Sequence, residues 1–177
     1  MSNAIKASFV LGAIGGFLIA LVEIPAQLGW TWDDVPWDEV QYFQILILAL
    51  ILLSIGFFGL WRKSGNVIPL VSAICIIVFT IARPLLWFMW LHLLPGWLNP
   101  ADFTTIAWIF SVAGWITAGI SAWLLREEFS PFSIVAALMF LACGAVNLLT
   151  LFSDLWYWFF TATAIVAGIY FLDAART

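Results

Sequence analysis

Residues 67–94 read VIPLVSAICIIVFTIARPLLWFMWLHLL. Across these residues the single formal charge is Arg83, and apolar side chains follow one another without the alternation of a half-buried strand. About 20 residues rising about 1.5 Å each cross a hydrocarbon core of about 30 Å, so this run predicts a membrane-spanning helix. A transmembrane strand would be about half as long and would show a period of two. Five further runs of the same kind lie at 7–28, 42–61, 104–125, 131–152 and 155–174. The expected fold class is all-α: a polytopic integral membrane protein, one domain over residues 1–177, built as a bundle of six transmembrane helices with short loops. Lys6 before the apolar stretch Ala7 to Val22 imitates a signal peptide. No small-residue cleavage site follows, and Glu23-Ile24-Pro25 comes next, so the segment reads as a true span.

Composition agrees. Of the 177 residues, 65% are hydrophobic and 9% are charged, with a mean hydropathy of +1.11. An ordinary soluble domain carries about 25% charged residues. So few charges cannot cover a globule in water, which excludes a soluble enzyme or a disordered tail. The formal net charge of −4 and the lack of any basic run exclude a nucleic-acid partner. Cys75 and Cys143 both sit inside apolar runs and read as inert buried thiols. His92 is the single histidine, so this chain alone cannot hold a bis-His haem, and no cofactor is indicated.

The loops carry the orientation. Lys6, Arg62, Lys63, Arg126 and Arg176 fall on one side of a six-span arrangement. Asp33, Asp34, Asp38, Glu39, Asp102 and Asp154 fall on the other. By the positive-inside rule both termini are expected in the cytoplasm, with the chain in the cell membrane. Trp30, Trp32, Trp37, Trp90, Trp97, Trp156 and Trp158 mark the outer ends, where an indole is satisfied at headgroup level. The segment Trp30 to Glu39 reads as an interfacial anchor or, alternatively, a lid over an outward-facing pocket.

Small residues give the packing faces. Gly12, Gly16 and Ala20 recur along the first span, Ser111, Gly114, Ala118 and Ser121 along the fourth, and Ala136, Ala137, Cys143 and Gly144 along the fifth. Small side chains let backbones approach, which drives helix association where burying apolar surface gains nothing.

The candidate site is a polar layer. Glu23, Arg83 and Asn147 each lie sixteen residues into their spans, counted from Ala7, Val67 and Pro131. That is about 24 Å above the inner end. Gln44, counted outward from Trp61, falls within a residue of the same depth. Intramembrane charges are costly unless paired or wetted, so they face the bundle interior. Pro25 and Pro84 stand beside the two charges, and irregular backbone at such depth lines a cavity or is buried in protein. His92 lies nine residues beyond Arg83, near the outer interface, and is a further candidate ligand residue.

Three readings fit these residues. Glu23 and Arg83 neutralise each other in a structural network with Gln44 and Asn147; or Arg83 holds an anion or carbonyl that Glu23 tunes; or Glu23 relays protons. Motifs of membrane-embedded hydrolases and metalloenzymes are missing, which favours a non-enzymatic protein. Six spans in a chain of this size, with both termini inside and small residues along the first span, are similar to the substrate-binding component of energy-coupling-factor vitamin transporters. The likeness is one of topology and size, and the heavy Trp content departs from it. The expected function is binding, with or without transport, of a small anionic or amphipathic ligand by Glu23, Gln44, Arg83, Asn147 and His92. The alternative is an accessory subunit of a larger membrane complex. Partners are membrane lipids and other membrane subunits or a second copy of the chain.

Overall fold

A computed structural model describes residues 1–30, 34–36, 38–90, 100–129, 132–150 and 154–176. Among the described residues the chain forms seven helices: α1 (Asn3–Gln27), α2 (Glu39–Ser64), α3 (Val67–Trp90), α4 (Pro100–Leu124), α5 (Arg126–Phe129), α6 (Phe132–Thr150) and α7 (Asp154–Arg176). Five stretches are long and apolar enough to cross a membrane: Asn3–Pro25, Glu39–Ser64, Ala101–Leu124, Phe132–Leu149 and Leu155–Arg176. In α3 the apolar stretch Val67–Arg83 is shorter. The chain is therefore an all-α, membrane-embedded helical bundle.

Local chemistry sets the helix ends. Asp38 caps α2: its Oδ1 accepts from the Gln41 backbone N–H at 2.7 Å, and the Gln41 side chain accepts the Asp38 N–H at 3.1 Å. This reciprocal box satisfies two donors that the first turn leaves open. At the other end Gly65 takes φ +69°, and its N–H reaches the Trp61 carbonyl at 2.8 Å. Only glycine enters that left-handed region without strain, so Gly65 fixes the α2–α3 turn. The polar stretch after Leu125 forms the one-turn α5, anchored by the Glu128 N–H on the Leu125 carbonyl at 3.0 Å.

Each long helix packs on the next, and α7 returns to α1. The pairings run antiparallel. Gly12 meets Gly56 while Glu23 meets Tyr42; Ser72 bonds Thr117 at 3.0 Å; Asn147 bonds Ser111 at 2.9 Å. Helix α1 is wedged tightly between α2 and α7. A methyl at Gly16 would sit 2.5 Å from the Ala164 carbonyl oxygen and 2.7 Å from the Gly168 nitrogen. At Gly15 it would strike the backbone of Ala49 and Leu53. These contacts are possible only because α1 presents no side chain there.

The interior is aromatic. Phe57, Phe79, Trp115, Phe140, Trp156, Phe160, Tyr170 and Phe171 are all fully buried. They touch across the bundle in a continuous chain. Phe160 stacks on Trp156 at 5.0 Å and meets Trp115 at 5.8 Å; Trp115 meets Phe140 at 5.9 Å; Phe57 meets Phe140 at 6.0 Å and Phe171 at 5.1 Å. Edge-to-face and offset pairs at such spacings are worth about 0.5–1.5 kcal/mol each beyond their burial. Branched aliphatic side chains dominate the outward face, as at Leu48, Ile51, Ile74, Ile81, Leu138 and Leu149.

Candidate functional site

The site stands at the end of the bundle opposite the two termini. Glu23 lies in the last turn of α1, Tyr42 in the first turn of α2, Tyr157 in the first turn of α7, and Arg83 about two turns before the end of α3. The antiparallel path of the chain brings these helix ends together.

Glu23 is the hub. Its Oε1 accepts a hydrogen bond from the Tyr42 hydroxyl at 2.8 Å and faces Arg83 Nη1 at 3.5 Å. Its side chain is 2% exposed, against 16% for Arg83. Burial removes water from the carboxylate, so these two donors replace its hydration. The Tyr42 bond has good geometry; the Arg83 contact is longer than the 2.7–2.9 Å of a well-formed charge-assisted bond.

The guanidinium is held mainly by rings. Its central carbon lies 6.0 Å from the Phe79 centroid, 5.7 Å from that of Tyr157 and 6.0 Å from that of Phe160. Phe79 comes from one turn earlier on α3, and the other two come from α7. A cation over aromatic faces is attracted by their quadrupoles, more so where water is excluded. A guanidinium carries five N–H donors. One is engaged by Glu23, and among the described residues the others have no hydrogen-bond partner. The arrangement is thus a partly reachable cation, walled by aromatic faces, with donors that no described residue engages.

The other expected site residues separate. Gln44 does not join the layer: it is exposed, on the outward stripe with Leu48 and Ile51. Two residues along a helix turn the side chain by about 200°, so α2 offers Tyr42 instead. Asn147 is fully buried but bonds α4 instead of the ion pair. Its Nδ2 donates to Ser111 Oγ at 2.9 Å, and Trp108 Nε1 donates to its backbone carbonyl at 2.9 Å. The Asn147 Oδ1 has no hydrogen-bond partner among the described residues. His92 lies outside the described residues, as do Thr31, Trp32, Asp33 and Trp37 of the Trp-rich segment. Trp30, at its start, is exposed.

Sequence reasoning missed Tyr42 and the rings of Phe79, Tyr157 and Phe160. A signal for Tyr42 was present. Ala49 and Gly56 follow it at intervals of seven, which places all three on one packed stripe. Among the described residues no group of three or more His, Cys, Asp or Glu side chains could hold a metal ion.

Comparison with protein-family models, with curated proteins and with solved structures finds no match to this chain. The likeness to vitamin-transporter components rests on size and span count alone, and the functional reading rests on the residues themselves.

Proposed function

We propose that this is a six-span, non-enzymatic membrane protein, with both termini cytoplasmic, that binds a small anionic or amphipathic ligand at Arg83 in the outer half of the bilayer. The observation that carries the reading is the state of Arg83. Among the described residues it has a long single contact to Glu23, three flanking rings and donors without a partner, and its side chain is 16% exposed. A cation needed only to neutralise Glu23 would gain most from a short bidentate fork. Here the aromatic walls flank the guanidinium, and the donors that no described residue engages suit a carboxylate or phosphate. Glu23 and Tyr42 fix its position, and Glu23 lowers its net charge enough for the ligand to leave again.

The accessory-subunit reading draws on the aromatic interior. A bundle filled by rings below the site has the build of a scaffold, with Glu23 and Arg83 as its polar lock. One experiment separates the two. The protein is extracted with its native lipids and small molecules, and wild type, Arg83→Gln and the Glu23→Gln/Arg83→Gln double variant are compared by native mass spectrometry. Ligand binding predicts a small-molecule adduct on wild type that is absent from folded Arg83→Gln. The scaffold reading predicts no adduct on any form, poor folding of Arg83→Gln, and recovery in the double variant.

A further inference from the structure

A second polar feature lies at the opposite end of the bundle. Between the start of α1 and the end of α2 runs a cleft of about 270 Å³, lined among others by Ser2, Ser8, Ile55, Phe58, Gly59 and Arg62. That is room for about nine waters at their liquid volume. The cleft exists because its floor is small: Gly59 is buried directly against the Ser8 hydroxyl, so neither helix fills the space with a side chain. One wall is apolar and faces outward, with Phe58 exposed and edge-on to Trp61 at 5.4 Å. A Trp at a helix end marks headgroup level. The mouth therefore opens where acyl chains meet headgroups.

Charge gives the occupant. Residues 1–22 and 40–101 contain no acid, whereas Lys6, Arg62 and Lys63 all sit at this end of α1 and α2. Arg62 is exposed and forms no ion pair among the described residues. By contrast Arg126, at the same end of the bundle, is already occupied by Glu127 at 3.2 Å and by the face of Trp123 at 4.8 Å. A guanidinium matches a phosphate bidentately, the Ser2 hydroxyl adds a neutral donor while that of Ser8 is given to the Ile5 carbonyl at 2.7 Å, and the Ile55–Phe58 wall suits an acyl chain.

We infer that the α1–α2 cleft is a binding site for an anionic phospholipid, its phosphate on Arg62 and its chain along Ile55 and Phe58. The site is independent of Arg83. The test is native mass spectrometry of the full chain in detergent, with equal amounts of phosphatidylglycerol and phosphatidylcholine of the same acyl chains. Phosphatidylglycerol is expected to bind in preference. Arg62→Gln should lower its adduct about five-fold, the effect of losing one cation beside anionic headgroups. Ala4→Trp fills the cleft with the charge kept, and should lower the adduct as well. Arg126→Gln should leave it unchanged. Equal binding of both lipids, indifference to Arg62→Gln and Ala4→Trp, or an equal loss with Arg126→Gln overturns the site. An equally strong adduct with inorganic phosphate that Arg62→Gln removes overturns the lipid as its occupant.

Discussion

The pairing of Glu23 with Arg83 can be measured as a coupling energy. Removing one partner of a buried ion pair costs about 3–5 kcal/mol, because the other charge is left uncompensated. The structure places the two singles differently within that range. After Glu23→Gln, Arg83 keeps its partial exposure and its three rings, and Tyr42 still has an amide carbonyl to bond. That variant should lose about 3 kcal/mol. After Arg83→Gln, a nearly fully buried carboxylate keeps the Tyr42 hydroxyl as its one strong described donor. That variant should lose about 4 kcal/mol. The double variant buries no charge, and two amides can bond each other, so its loss should stay near about 4 kcal/mol, not the additive value of about 7. The coupling is then about 3 kcal/mol, roughly a hundred-fold or more in the unfolding constant. Reversible unfolding in mixed detergent micelles by sodium dodecyl sulfate, followed by tryptophan fluorescence, gives all four free energies. A coupling below about 0.5 kcal/mol would show that the two side chains do not act on each other, and the site at Arg83 would lose its foundation.

The same unfolding assay reaches other parts of the bundle. Tyr42→Phe removes a 2.8 Å bond to a carboxylate and should cost about 1.5–3 kcal/mol, whereas Gln44→Ala, on the outward stripe, should stay within about 0.5 kcal/mol. Gly16→Ala drives a methyl into the Ala164 and Gly168 backbones, which cannot turn aside; it should lose about 1–3 kcal/mol, and a neutral result would contradict the α1–α7 approach. Trp115→Ala should cost about 3–5 kcal/mol, since its ring bridges Phe140 and Phe160 at the centre of the bundle. Asn147→Ala should cost about 0.6–1.7 kcal/mol, the range of interhelical hydrogen bonds in membranes, and should leave any Arg83 adduct in place.

Much of the bundle was legible in the chain, for reasons that can be located. Apolar length fixed the helices to within a few residues: the expected span 42–61 lies inside α2, and 131–152 overlaps α6 (Phe132–Thr150). The stripe of Gly12 and Gly16 forecast a close-packed α1, because glycine in a lipid environment has little other use. Azimuth was not used as far as it could have been. Gln44 attracted attention for its polarity, while the seven-residue phase of Tyr42, Ala49 and Gly56 pointed to the buried side. Asn147 shows a harder limit. Its helix face was identified as packed, but a helix in a closed bundle has two neighbours and an interior, and spacing along one chain does not say which of them a face meets. The rings around Arg83 were invisible for the same reason: Tyr157 and Phe160 belong to a helix far away in sequence.

The aromatic interior bears on the proposed reading of Arg83 as a binding site. A carrier that alternates its access must open a path from the site to the other side, and that path would run from Phe160 through Trp115, Phe140, Phe57 and Phe171. These rings are buried and in mutual contact, and the helices that carry them are locked at glycine contacts that leave no slack between α1 and α7. Parting four successive ring contacts at about 0.5–1.5 kcal/mol each, before any loss of packing, sets a cost of several kcal/mol for each passage. No such cost attends a ligand that arrives at Arg83 from the near end of the bundle, where the guanidinium is already partly exposed. On the proposed reading, this cost favours a receptor-like site, loaded and unloaded from one side, over a conduit. Shrinking the rings separates the two: Phe140→Ala together with Phe160→Ala opens the interior, yet should not create uptake of a small anion into proteoliposomes. Uptake by the wild-type protein that ceases when Arg83 is changed to Gln would reverse this argument and make the ring chain a gate.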